Sequence, residues 1–302
     1  MEPLLYISNL EKHIMDDFHL GPINLHLEPG TITALIGNNG SGKSTLLKTI
    51  MNLVKPDHGN IKIDNKFVHG ENESWKPLVA YQPQTIIGWN AFTGEILKRL
   101  IAPLYPNWDE RLFQKMIELF DVPLHKKFSK LSQGVQQKLN LALTVPRNAP
   151  LLILDEPTSF MDIPSKKLLI DLLVDWMEPG NRSILIASHQ IDDIKKLSDY
   201  LFVLHNGKML GHFEKEELTS TYARFWLNDS LSDTSIPGEV SREDRMIISD
   251  NPAETEAFLE AMSIKWSNRS SLELDDIITI LLNNKKKMGG IQHGSHVNSG
   301  RP

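Results

Sequence analysis

The chain has no cysteine among its 302 residues. Disulfides, thiolate metal centres and cysteine nucleophiles are therefore excluded, and the absence fits a cytoplasmic protein. Long apolar stretches are missing too: no uninterrupted run approaches the ~18–20 residues that a membrane-spanning helix needs. The N-terminal segment MEPLLYISNLEKH has neither a basic start nor an extended apolar core, so no secretory leader is expected there. Positive charge is not in surplus. Lysine and arginine number 32 against 38 acidic residues, a formal net charge of −6, which argues against a generally basic nucleic-acid-binding surface. No internal repeat is visible. What is present is an ordinary globular composition, 40% hydrophobic and 23% charged, in a chain long enough for one large domain and a smaller appendage.

Hydrophobic periodicity divides the chain into parts. From Leu4 to about Asn65, segments such as Ile23–Leu27, Thr31–Ile36 and Ile61–Ile63 read as short strands separated by Pro and Gly. From about 88 to 145 the pattern turns helical, with Leu112, Met116, Leu119 and Phe120 close to a 3.6-residue period within Arg111–Phe120. From Leu151 to Phe213 strands (Leu151–Leu154, Ser183–Ala187, Leu201–Leu204) alternate with helices (Lys166–Trp176, Ile191–Leu197), and Asn206-Gly207 marks a hairpin before Met209–Phe213. That alternation predicts an α/β fold with parallel strands. The segment 218–284 reads as a small α+β domain with a strand at Arg245–Ser249 and helices at Pro252–Met262 and Leu274–Leu282. The final 285–302, KKKMGGIQHGSHVNSGRP, is too poor in apolar residues to pack and is expected to be disordered.

Two motifs carry chemistry. Gly37-Asn38-Asn39-Gly40-Ser41-Gly42-Lys43-Ser44-Thr45 has the G-x-x-x-x-G-K-[ST] pattern of a phosphate-binding loop and stands between a strand and a helix. Small residues let the backbone curl so that N–H groups converge on phosphate oxygens, and the following helix adds its positive end. Lys43 is expected to neutralise the β- and γ-phosphates of ATP, and the Ser44 hydroxyl to ligate Mg²⁺. Downstream, Asp155 and Glu156 close the apolar run Leu151–Leu154. Ligands in α/β sheets collect at the carboxyl ends of strands, so Asp155 is expected to hold Mg²⁺ through water and Glu156 to deprotonate the attacking water. A plain turn at Asp-Glu-Pro is the bland alternative, and the loop upstream disfavours it.

Leu131-Ser132-Gln133-Gly134-Val135-Gln136-Gln137-Lys138-Leu139 resembles the signature segment of ATP-binding-cassette (ABC) proteins, usually Leu-Ser-Gly-Gly-Gln. The resemblance implies that Ser132 and Gly134 open a helix and address the γ-phosphate bound to a second subunit; Ser132 is equally a good helix N-cap. Other family elements follow in order. Gln84 matches the glutamine that touches Mg²⁺ and relays to the membrane partner, with Gln82 a competing assignment. Asp162 matches the acidic loop that crosses the dimer interface. His189, after Ala187-Ser188, matches the switch histidine that contacts the γ-phosphate. The resemblance spans about residues 4–215 and implies an ABC ATP-binding domain over 1–217, with its helical subdomain at about 88–145: a mixed sheet core, an antiparallel β subdomain and a helical signature subdomain. It implies an ATPase that powers a separate integral-membrane transporter subunit as a homodimer or paralogous heterodimer, bound peripherally at the cytoplasmic face of the cell membrane and not to nucleic acid. Tyr105-Pro106-Asn107-Trp108-Asp109, the Ser-x-Gly-x-x-Gln-Lys signature and the C-terminal segment resemble the bacitracin-resistance branch of bacterial exporters of peptides, drugs and other amphiphiles.

Departures from the pattern matter. Gln133 and Val135 replace the first glycine and the glutamine of the signature, and Phe160-Met161 replaces the Gly-Leu that usually precedes the interface aspartate. Ile14 stands where the family stacks an aromatic ring on adenine, which leaves that contact to Ile14 or to a neighbour such as Phe18. A regulatory, weakly catalytic half of a heterodimer is one alternative. Another is a soluble cassette ATPase acting on nucleic acid or ribosomes, but such proteins carry two cassettes or a long coiled-coil insertion. His13, His19 and His26 lack chelating spacing and are assigned to strand surfaces. Lys285–Lys287 reads as a solvated charge run.

Overall fold

The computed structural model describes residues 2–14, 18–230 and 234–283. The expected disordered tail at 285–302, with Lys285–Lys287, lies outside the described residues. The chain divides into two compact units, Met1–Leu218 and Thr219–Pro302.

The first unit begins with β1 (Leu5–Ile14) and β2 (Phe18–Leu27), then β3 (Ile32–Ile36), α1 (Lys43–Ile50), β4 (His58–Ile63) and β5 (Lys66–Phe67). After β6 (Val79–Gln82) comes a helical stretch of α2 (Gly94–Ile101), α3 (Glu110–Phe120) and α4 (Gln133–Thr144). The chain then alternates through β7 (Leu151–Asp155), α5 (Ile163–Met177), β8 (Ser183–Ala187), α6 (Ile191–Leu197), β9 (Tyr200–His205) and β10 (Lys208–Glu214). Helix α7 (Lys215–Thr221) spans the division point. The second unit holds β11 (Ala223–Leu227), β12 (Glu239–Glu243), β13 (Met246–Ser249), α8 (Pro252–Ala261), β14 (Trp266–Ser271) and α9 (Leu274–Asn283).

Sequence pattern explains the layers. Strands β3, β7 and β8 are buried along their whole length and read as continuous apolar runs, as expected for a sheet covered on both faces. They sit in the six-stranded sheet β10-β9-β3-β8-β7-β6, parallel except for the β9–β10 hairpin. In β2, by contrast, Leu20, Ile23, Leu25 and Leu27 are buried while Asn24 and His26 are exposed, the alternation of a half-covered antiparallel strand. It belongs to the four-stranded sheet β2-β1-β4-β5. Leu5, Ile7 and Leu20 of that sheet share one buried cluster with Leu46, Leu47 and Ile50 of α1 and with Leu35, Ile153 and Leu185 of the large sheet. Burial of each such side chain contributes about 1.5–3 kcal/mol, so the base of α1 is held rigidly between the two sheets.

The helical stretch is capped by short polar side chains. Thr93 accepts from Ile96 N at 3.3 Å, and Asp109 from Leu112 N at 2.9 Å. The Tyr105–Asp109 motif works inside this region: Arg147 donates to Tyr105 Oη at 3.0 Å, and Asp109 N donates to Pro146 O at 2.7 Å. It therefore ties the start of α3 to the residues following α4. The second unit has an antiparallel sheet, β12-β13-β11-β14, with Phe225, Ile247 and Leu259 in its core.

Candidate active site

Strand register assembles the site. Leu35 of β3 pairs with Ala187 of β8, and Ala187 pairs with Asp155 of β7. The residues that follow these three partners (the phosphate loop, Glu156 and Ser188-His189) therefore leave the sheet at one level, at its carboxyl edge.

The phosphate loop depends on backbone that only glycine adopts freely: Gly40 has φ +78° and Gly42 φ +109°. A Cβ on Gly37 would stand 2.2 Å from Leu204 O, so the loop presses against β9. The β9–β10 turn braces it further, with Gly207 N donating to Ser41 O at 2.8 Å and Gly21 N to Gly207 O at 2.7 Å. Asn38, Asn39 and Gly40 form the exposed rim, whereas Ser41 and Lys43 are buried. Lys43 Nζ donates to Gly37 O at 2.5 Å and Asn38 O at 3.3 Å. Burial lowers the Lys43 pKa, and the charges of Glu156 and Asp155 oppose that shift. A cation so placed lacks water and seeks anionic oxygen. Thr45, the third residue of α1, accepts from Thr49 through its carbonyl.

The two acids differ. Asp155 accepts a hydrogen bond from Ser44, yet burial first, and the neighbouring Glu156 charge second, raise its pKa to about 6. Glu156 occupies left-handed backbone at φ 53°. Its N–H donates to Ala187 O at 2.8 Å, and its Oε1 lies 2.7 Å from His189 Nδ1. Its Oε2 is buried with no hydrogen-bond partner. His189 is the exposed member of this pair and Glu156 the buried one.

Ser132 caps α4, its Oγ accepting from Val135 N at 3.4 Å. A Cβ on Gly134 would meet Phe160 O at 2.6 Å, and Lys138 Nζ lies 3.5 Å from Asp162 Oδ2. The start of α4 and the loop at Phe160–Asp162 are thus packed together within one chain. Asp162 caps α5 by accepting from Ser165 N at 2.8 Å, and this backbone bond is the first cause of its lowered pKa. Phe160 and Ile163, on either side of it, are exposed apolar side chains. Gln84 is exposed beyond β6, while Gln82 is buried and donates to Pro83 O at 2.7 Å. Lys43, Ser44, Asp155, Glu156 and His189 are therefore brought together, and Ser132, Gly134 and Asp162 form a second group.

A family model described as "ABC transporter" matches residues 20–159. The manganese transport system ATP-binding protein MntA of Synechocystis sp. is 32% identical over 213 residues, covering 65% of this chain and 80% of that protein. This chain belongs to the ABC transporter ATP-binding family. The ABC transporter ATP-binding protein YtrB of Bacillus subtilis (strain 168) is 25% identical over 292 residues, 94% of this chain and 100% of that one. A solved ATP-binding subunit of an ABC transporter superposes with a TM-score of 0.66 at 25% identity, over 72% of this chain and 92% of its own.

The chain is accordingly an ATP-binding subunit of an ABC transporter, a P-loop ATPase that couples hydrolysis of Mg²⁺-ATP to transport and works with membrane subunits. Among the described residues no helix is long and apolar enough to cross a membrane. The site of this ABC subunit fits its ligands. Ser44 and Asp155 offer the oxygen donors a hard cation requires, while Ser41 Oγ and Glu156 Oε2 are buried without partners. Ile14 and Phe18 are cross-strand partners, and a Cβ on Gly42 would stand 3.0 Å from the Phe18 ring. Phe18, the neighbour named beside Ile14 from the sequence, thus adjoins the phosphate loop directly. His13 and His19 stack on each other, and no metal-binding group of three or more such side chains exists among the described residues.

Proposed function

We propose that this subunit hydrolyses ATP in a sandwich of two cassettes and drives a membrane partner of a bacterial exporter for peptides, drugs or other amphiphiles. The backbone of Gly37–Gly42 and Lys43 grips the phosphates, with Thr45 extending the loop into α1. Ser44, Gln84 and, through water, Asp155 hold Mg²⁺, which neutralises phosphate charge when bound. Glu156 takes a proton from the attacking water through Oε2, and His189 orients Glu156 and contacts the γ-phosphate. Ser132 and Gly134 of the second subunit close the pocket, Asp162 meets that subunit across the interface, and Gln84 transmits the change to the membrane partner at the cytoplasmic face. We read the ATP-binding domain as 1–217, followed by a separate α+β domain at 218–284.

The carrying observation is the Glu156 carboxylate, one oxygen engaged by His189 and the other buried and unpartnered. Glu156→Gln should retain ATP binding and lose steady turnover by about 10²–10⁴-fold, the range for removing a general base. Near-normal turnover by that variant refutes the assignment.

Export is supported by the Tyr105–Asp109 segment and the Ser-x-Gly-x-x-Gln-Lys signature, which resemble those of that exporter branch. The test is purification with the membrane partner, reconstitution into liposomes, and the direction in which a labelled amphiphilic peptide moves on ATP addition. A second reading, a weakly catalytic half of a heterodimer, is favoured by Gln133 and Val135 in the signature. ATPase assays of the chain alone and mixed with a paralogous subunit separate the two.

A further inference from the structure

We propose that Gln137 is a positioning residue for hydrolysis: its buried carboxamide holds the turn that aims Glu156. This rests on the reading of Glu156 as general base.

Glutamine on a helix ordinarily points into water. Gln137 of α4 is 6% exposed, and its Nε2 donates to Glu156 O at 3.1 Å and to Pro157 O at 3.0 Å. Those two bonds use both hydrogens of the amide nitrogen. The turn they reach is one that needs holding. Glu156 has φ 53°, a region that costs a residue with a Cβ roughly 1–2 kcal/mol, so the conformation persists only where its surroundings enforce it.

The enforcement is visible on both sides of the residue. Its N–H is tied to Ala187 O of β8 at 2.8 Å, and its carbonyl is tied to α4 by Gln137. The ring of Pro157 stiffens the next residue. With both backbone polar groups of Glu156 engaged, its Cα–Cβ bond has one direction, the one that places Oε1 on His189 and leaves Oε2 buried and unpartnered. Without the carboxamide, two buried carbonyls lose their donors and the peptide between Glu156 and Pro157 is free to swing.

Helix α4 also carries the signature at its N-terminus, next to Gln137. Gly134, one turn before Gln137, lies against Phe160 O of the same turn region. A shift of α4 when its N-terminus meets a second subunit's nucleotide is therefore transmitted to the carbonyl of Glu156. Each signature helix adjusts its own chain's carboxylate.

The test is Gln137→Met in the full chain, which keeps the length and removes the donors. Expected are a kcat lower by about 10- to 100-fold, the scale of an ångström-level misplacement, with ATP affinity within about threefold of wild type. In a Glu156→Gln background, Gln137→Met should not lower the residual turnover further, because the group it positions is already gone. Gln137→Asn, one methylene short of both carbonyls, provides a milder perturbation of packing with the same direction of effect. An unchanged kcat, an additive loss in the Glu156→Gln background, or a loss that follows nucleotide affinity or folded fraction overturns the proposal. Should Glu156→Gln itself turn over normally, the general-base reading falls; should Glu156→Gln be dead and Gln137→Met be normal, only the role of Gln137 falls.

Discussion

Nδ1 of His189 stands 2.7 Å from Oε1 of Glu156, while the second carboxylate oxygen is buried and makes no hydrogen bond. One oxygen is thus engaged, and under the general-base proposal the other is the one that accepts the proton. The histidine side chain is 61% exposed and the glutamate side chain 7%, which makes His189 the outward cover of the pair. Replacing it with alanine removes the orienting contact and leaves the carboxylate in place. His189→Ala should lower turnover by about 10²-fold and leave ATP affinity nearly unchanged. His189→Gln, which can still donate, should recover part of the loss. Steady-state ATPase with parallel nucleotide titration checks both.

Asp155 yields a pH prediction. Its folded pKa of about 6 exceeds the ordinary 3.8, chiefly through burial. The folded state therefore binds more protons between those values, and stability must fall as pH rises from about 4 to about 6. The full shift corresponds to roughly 1–3 kcal/mol lost above pH 6. Asp155→Asn has no such proton to lose. Urea unfolding of the nucleotide-free protein at pH 4.5 and pH 7 should show that the wild type loses this increment and the variant does not, while the variant fails to turn over Mg²⁺-ATP. Equal slopes with pH in both proteins contradict the prediction.

The parts of this site legible in sequence are those encoded locally. The strand at Ser183–Ala187 and the helix at Ile191–Leu197 have the bounds that their periodicity gives, and the loop at Gly37–Thr45 is set by glycines and a helix start. Strand β1 was harder to delimit because register shifts between Ile7 and Leu10, and between Leu10 and Lys12, break its period. In β14, WSNRSS, no residue is fully buried, so hydrophobicity marks nothing there. The contact of Gln137 with Glu156 and Pro157 lies 19 and 20 residues away along the chain, and a helical glutamine carries no local sign of it. Phe18 is legible as a neighbour of Ile14, but its pairing with Ile14 and its approach to Gly42 depend on the strand register.

That pairing leads to a prediction about the base. If the adenine lies against Ile14 and Phe18, both offer dispersion contact, but the Phe18 ring is already engaged against Gly42. Ile14→Tyr would place a second aromatic face at the end of β1. A stacking contact of about 0.5–1.5 kcal/mol corresponds to roughly 2- to 10-fold tighter ATP binding, with no comparable gain for inorganic triphosphate, which lacks a base. Phe18→Ala should weaken ATP binding and lower the melting temperature together, since the ring also packs on the core. Fluorescence titration with ATP and inorganic triphosphate separates the stacking gain from a general change in the loop.

Gly134 sets two effects of opposite sign against each other. It lies in the first turn of α4, where alanine would favour the helix by about 1 kcal/mol. Yet a Cβ there would stand 2.6 Å from Phe160 O, a backbone atom with no freedom to rotate away as a side chain could. Phe160 is itself held at φ 64°, and the turn it belongs to presents Asp162 as the cap of α5. The clash must therefore move the turn, and with it Asp162. Gly134→Ala should leave the melting temperature within a few degrees and ATP binding by the monomer intact, because the phosphate loop is untouched. Dimer formation with ATP and turnover should both fall by at least about tenfold. Val135→Gln, which adds no atom at the crowded position, should retain turnover. If sedimentation and ATPase assays find Gly134→Ala dimerising and hydrolysing normally, the close approach of signature and interface loop has no part in the cycle.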